Sequence, residues 1–149
     1  MPVAIPTRPL ADGDAPAVAA LSGDLGYPAG RTAMETRLAT VLADPGHAVF
    51  GAEAADGSLV GWVHVCSRLL LIDPPSAFIE GLVVAPGARR QGVGRALMAA
   101  AEDWSRSRGA QTVRLRSGAT REDAHAFYRA LGYAPGKAAL GFEKALDGG

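Results

Sequence analysis

The sequence predicts a mixed α/β sandwich: a mixed, mostly antiparallel sheet flanked by helices, in one domain spanning residues 1–149. Strand-type and helix-type segments follow in the order βααβββαβαβ, an antiparallel meander ahead of α/β crossovers. Asp56-Gly57 between two strand segments is a hairpin signal. A chain of this length can bury a real core.

Prolines at 2, 6 and 9 restrict residues 1–10 to an edge or irregular strand. Residues 14–25 then place Val18, Leu21 and Leu25 at helical spacing. The breaker cluster Gly26-Tyr27-Pro28-Ala29-Gly30 separates them from residues 32–42, where Met34, Leu38 and Leu42 repeat that spacing. Residues 47–54 and 59–70 read as strands on either side of the hairpin turn. Residues 77–84 are a near-continuous apolar strand, expected to be buried on both faces. A helix runs from Gly92 to about Arg108, with Val93, Leu97, Ala101 and Trp104 on one side, and Gly109 ends it. Residues 111–116 form a short strand. Thr120 is the expected N-cap of the next helix, with Asp123 three residues on, and Gly132 closes it. A last strand is expected from 138 to about 145.

Fifteen basic and fifteen acidic residues leave no net charge, so no global field draws nucleic acid. No apolar run approaches a membrane span, and the N-terminus has no secretory signal pattern. Cys66, the sole cysteine, excludes an internal disulfide framework and suits a reducing compartment. Cytoplasm is the expected location, with neither nucleic acid nor membrane as partner; a homodimer stays open. His47, His64 and His125 lack metal-ligand spacing, so no metal is expected.

The most informative segment is Leu82-Val83-Val84-Ala85-Pro86-Gly87-Ala88-Arg89-Arg90-Gln91-Gly92-Val93-Gly94-Arg95-Ala96-Leu97. An apolar strand enters a basic, glycine-rich loop that opens directly into a helix. The first N–H groups of a helix lack internal partners, and its dipole places positive charge beside them. Gly92 and Gly94 let an anion approach the backbone, while Arg89, Arg90 and Arg95 add charge. A Walker A loop needs a lysine that is missing near Gly94, and a dinucleotide fingerprint needs glycine where Leu97 stands. An ordinary glycine-rich turn on a basic surface is the remaining alternative.

Arg89-Arg90-Gln91-Gly92-Val93-Gly94 fits the pattern Arg/Gln-x-x-Gly-x-Gly/Ala, and resembles the acyl-CoA pyrophosphate loop of the GNAT superfamily of N-acetyltransferases. Ala124-His125-Ala126-Phe127-Tyr128-Arg129-Ala130-Leu131-Gly132-Tyr133 is similar to the family's late motif, a helix with Phe-Tyr ending in Leu-Gly-Tyr/Phe. The closing segment Ala139-Leu140-Gly141-Phe142-Glu143-Lys144 is similar to its ending. The resemblance is specific over the last half of the chain and compositional over the first. It implies a GNAT-like acyl-CoA N-acyltransferase fold, acetyl-CoA as cosubstrate, and a sheet splayed between its fourth and fifth strands to seat the thioester.

Amide formation from a thioester requires the amine to lose a proton, the carbonyl to be polarised and the thiolate to gain a proton. Glu80 interrupts the apolar strand Phe78-Ile79-Glu80-Gly81-Leu82-Val83-Val84 and is the candidate base. Burial there requires a polar cavity or a partner and favours a raised pKa. The alternative is a glutamate paired with an arginine across the sheet. The resemblance adds that many relatives carry a glutamate in this strand. It assigns Tyr128 the role of acid toward the coenzyme sulfur, where an aromatic core residue is the plainer reading. It also implies that backbone N–H groups of Leu82, Val83 and Val84, freed by a bulge that Gly81 could support, polarise the carbonyl and pair with the pantetheine arm. Ser117 is a candidate contact to that arm. Relatives have an asparagine shortly after this point, where this chain reads Ser117-Gly118-Ala119-Thr120.

His64 alternates with Trp62 and Cys66 on one strand face and could line a pocket. Cys66 reads as a small buried residue, and a ping-pong route through it lacks support. The resemblance places acceptor determinants in the first two helices and their joint, with Asp24, Tyr27 and Glu35 as polar candidates, and the loop Ile72-Asp73-Pro74-Pro75-Ser76 as a further contributor. Phe78-Ile79-Glu80-Gly81 is loosely similar to aminoglycoside 6′-N-acetyltransferases. The expected activity is transfer of an acetyl group to a primary amine of a small molecule or peptide by direct attack. A catalytically silent acyl-CoA sensor of the same fold is the alternative.

Overall fold

The computed structural model describes residues 5–24, 30–117 and 122–146. They fall in two compact units, Met1–Arg116 and Ser117–Gly149. In the first unit the chain turns where the sequence marks it. The Asp56 carboxylate accepts from the Ser58 N–H at 2.9 Å and from its hydroxyl at 2.6 Å, and Gly57 takes φ +86°. That turn joins β2 (His47–Glu53) to β3 (Leu59–Arg68) as an antiparallel pair. β1 (Thr7–Pro9) is the edge strand the prolines permit, pairing antiparallel with β2. β4 (Ser76–Val84) pairs antiparallel with β3, and β5 (Thr112–Leu115) pairs parallel with β4. Sheet order is β1-β2-β3-β4-β5.

Each face of the sheet has its own cover. On one, Val63 and Val65 are fully buried with Leu97 and Ala101 of α3 (Val93–Ser107). A Cβ at Gly61 would lie 3.0 Å from Leu97 and 3.1 Å from Val93, so α3 sits close against this face. On the other, Val49 clusters with Leu10, Ala15 and Val18 of α1 (Ala15–Asp24), and Leu38 of α2 (Arg31–Ala43), with Trp62 packed against them. Arg8 fastens the edge: its guanidinium donates to both Asp14 oxygens, at 2.8 and 2.9 Å, and to Glu53 of β2. Asp14 holds that guanidinium firmly charged, and Arg8 in turn keeps the Asp14 carboxyl below its ordinary range.

The parallel ladder covers only Ser76–Thr112 to Ile79–Leu115. Beyond Ile79, no strand among the described residues pairs with β4 on its β5 side. This agrees with the expected splay between the fourth and fifth strands.

The second unit contains α4 (Glu122–Ala130), closed by Gly132 at φ +97°. Its expected N-cap, Thr120, lies outside the described residues. The expected closing strand over 138–145 is not formed. Leu140 and Phe142 are 84% and 93% exposed. The alternation of apolar residues there has no hydrogen-bonding partner among the described strands, and alternation alone does not make a strand. Among the described residues no helix is long and apolar enough to cross a membrane.

Candidate active site

β4 departs from regular pairing at one point. Ile79 is opposite Val65 and Gly81 is opposite His64, so Glu80 is an extra residue in β4, a bulge. Gly81 supports it: a Cβ there would lie 3.0 Å from the Trp62 ring. The bulge re-aims Glu80. Its Oε1 accepts from the Cys66 thiol at 3.4 Å and lies 3.4 Å from Arg68 Nη2. Arg68 is also held over the Phe78 ring, 3.9 Å from its centroid. Glu80 is therefore not the buried carboxylate that an apolar strand implies. Its side chain is 36% exposed, with an arginine partner across the sheet.

His64 and Cys66 share the face of Glu80. Burial depresses the His64 pKa, His47 adds to the effect, and Glu80 opposes it. His47 Nδ1 lies 2.9 Å from His64 Nε2. Burial pushes the Cys66 thiol up, and its hydrogen bond to Glu80 pushes further, which keeps the sulfur protonated and unsuited to nucleophilic attack.

Leu82, Val83 and Val84 continue β4 past the bulge. Val83 is buried, and Leu82 and Val84 are half-buried. A short 3₁₀ turn, Pro86–Ala88, then leads into the loop. Arg90 takes φ +63°, a left-handed conformation that costs a non-glycine residue about 1–2 kcal/mol. Gly92 takes φ +85° as the N-cap of α3, with no side-chain cap. The chain thus turns sharply and presents the first α3 N–H groups, those of Val93, Gly94 and Arg95, without a capping side chain. Gln91 Nε2 donates to the Gly87 carbonyl at 3.3 Å and braces the loop. Arg89, Arg90 and Arg95 are exposed and make no ion pair among the described residues. This is a loop able to hold a phosphate group.

In the second unit, Tyr128 is half-buried, edge-on to Phe127 at 5.1 Å and to Tyr133 at 6.0 Å between ring centroids. The Ser117 hydroxyl is buried with no partner among the described residues. Glu35 is exposed and paired with Arg31 of its own helix at 3.0 Å, an ordinary i,i+4 contact. Tyr27 lies outside the described residues, as does the side chain of Asp24. Sequence reasoning gave no role to His47 or Arg68. The signal for His47 was the hairpin, which folds β2 onto β3 and sets His47 opposite Cys66, diagonal to His64.

Comparison with known proteins adds to this geometry. Residues 17–133 match the acetyltransferase (GNAT) family profile. An aminoglycoside N(6′)-acetyltransferase type 1 of Stenotrophomonas maltophilia is 37% identical over 110 residues, 71% of this chain and 72% of that protein. Its namesake from Serratia marcescens is 30% identical over 110 residues, 71% of this chain and 75% of that protein. The structure of AAC(6′)-Iy in complex with the bisubstrate analog CoA-S-monomethyl-acetylneamine aligns with a TM-score of 0.84 at 21% identity, over 95% of this chain and 99% of that one.

Proposed function

Because the chain belongs to the GNAT family of acetyltransferases, we propose that it moves the acetyl group of acetyl-CoA directly onto a primary amine, that of an aminoglycoside 6′ position. Acyl transfer is the reaction class of the relatives it matches. The aminoglycoside acceptor is the finer reading, supported by the names of those relatives and by the Phe78-Ile79-Glu80-Gly81 context.

One observation carries the reading. β4 bulges at Glu80, continues without a β5 partner through Val84, and leads into the positive-φ loop that opens α3. A carboxylate, the outward N–H groups of Leu82 and Val84, and a phosphate-type loop thus succeed one another along a single stretch of chain. Acetyl-CoA supplies a thioester-activated acetyl group. The α3 N–H groups with Arg89, Arg90 and Arg95 hold its pyrophosphate. Leu82 and Val84, whose N–H groups alternate away from β3, offer them to its arm and to the acyl oxygen, while the Val83 N–H faces Trp62 of β3. Glu80 takes the proton of the amine, which is an ammonium at neutral pH, and Tyr128 donates one to the departing sulfur. Ser117 offers its hydroxyl to the arm.

The test is release of free CoA thiol from acetyl-CoA in the presence of aminoglycosides that carry a 6′-amine, beside matched compounds with a 6′-hydroxyl. Thiol release confined to the 6′-amines, with a singly acetylated product by mass spectrometry, is the expected result. Coenzyme binding with no release for any amine would instead identify a silent acyl-CoA sensor.

A further inference from the structure

Two imidazoles meet on the sheet face that carries Glu80. His47 Nδ1 and His64 Nε2 are 2.9 Å apart, with ring centroids 5.1 Å apart. His64 stands opposite Gly81, beside the bulge, within the field of the Glu80 carboxylate. At the far end His47 Nε2 lies 3.9 Å from Asp44 Oδ2, and these side chains are 32% and 55% exposed. The series runs from the bulge to solvent.

A hydrogen bond between two imidazole nitrogens needs one proton and one lone pair, so the bonded couple cannot carry a proton on both facing nitrogens. A proton gained at one end is relieved by a proton lost at the other. We propose that His47 and His64 form a relay that carries the proton of the acceptor amine from the Glu80 bulge to solvent beside Asp44. The inference rests on acetyl transfer to an amine at that bulge. Glu80 passes the proton to Nδ1 of His64, His64 yields its Nε2 proton to Nδ1 of His47, and His47 releases its Nε2 proton beside Asp44. One proton enters and one leaves, and only O–H and N–H bonds change. His64, with its pKa depressed by burial and by His47, stays neutral at pH 7 and keeps the lone pair that the relay requires. The other titratable groups around the couple are Cys66 and Arg68 on β3, Glu80 on β4 and Asp44 ahead of β2. Of the helices on this side, the described side chains of α1 include no titratable group, and α2 carries the exposed Arg31, Glu35 and Arg37.

The experiment is a pH–rate profile with a 6′-amino aminoglycoside for the wild type, His64→Ala and His47→Gln, with and without added imidazole. Both variants should lose about tenfold or more in kcat while keeping the thermal shift with acetyl-CoA. Imidazole should restore His64→Ala in proportion to its neutral form, so that rescue grows with pH. A purely structural histidine gives no such pH-graded rescue. In the intact wild type, ring nitrogen NMR should show the two histidines titrating as a couple, whether or not either variant folds. Wild-type rates in both variants, or independent titration of the two rings, would overturn the relay and leave acetyl transfer standing. No thiol release by the wild type with any 6′-amine would overturn both.

Discussion

At the scale of single residues, local geometry decides what each polar side chain can do. Glu80 was legible as the one carboxylate in an apolar strand, but its exposure was not. Strict alternation would put residues 78, 80, 82 and 84 on one face. The bulge keeps Glu80 with Phe78 and Gly81 and sends Leu82 and Val84 to the other side. Only Gly81 hinted at that. Cys66 follows from the same geometry: buried and hydrogen-bonded to a carboxylate, it stays a thiol. Cys66→Ala should therefore leave turnover within about twofold of wild type, while a ping-pong route would lose all activity; steady-state kinetics with saturating amine separates the two. Tyr128→Phe removes only a hydroxyl. It should lower kcat about tenfold or more with the acetyl-CoA dissociation constant unchanged, measured by calorimetry beside kinetics. Equal turnover would return Tyr128 to aromatic packing with Phe127 and Tyr133.

At the scale of elements, strands and helices with strong local signals came out within a residue or two of their expected bounds. The hairpin at Asp56-Gly57 and α3 between Gly92 and Gly109 are the clearest, since turn chemistry and periodicity agree there. The closing strand did not form, because pairing depends on a partner that the alternation at Leu140 and Phe142 does not supply. The loop before α3 yields a prediction in two parts. Gly92→Ala forces an alanine into φ +85° and should cost about 1–2 kcal/mol of stability by chemical denaturation. Gly94→Val lies within the helix, where it should leave the fold intact but remove the acetyl-CoA thermal shift by crowding the first N–H groups. An undiminished shift in Gly94→Val would take the phosphate role away from this loop. Leu97→Ala, at a fully buried position of α3, should cost about 2–5 kcal/mol.

At the scale of the whole molecule, balanced charge points away from a global electrostatic function, and two motifs in the last half of the chain pointed to the family that the profile match shows. The acceptor was not legible, because Tyr27 lies outside the described residues and Glu35 is engaged with Arg31. Stability should carry two separate acid signatures. The folded pKa of His64 is depressed below 6.5, so stability is full above that pH and falls as the unfolded chain takes up a proton the folded one resists. Asp14 is held below 3.8 by Arg8, and its contribution is lost only at lower pH. His64→Gln should thus flatten the melting temperature just below pH 6.5 and leave the more acidic limb, which belongs to Asp14, alone. The central claim is that the β4 bulge is the reaction centre, and the most direct measurement is the pH–rate profile of Glu80→Gln on a 6′-amino aminoglycoside. The expected result is a loss of about 100-fold or more, a changed acidic limb and an unchanged acetyl-CoA thermal shift. A wild-type profile with only a lowered melting temperature would contradict it, leaving Glu80 as the ion-pair partner of Arg68.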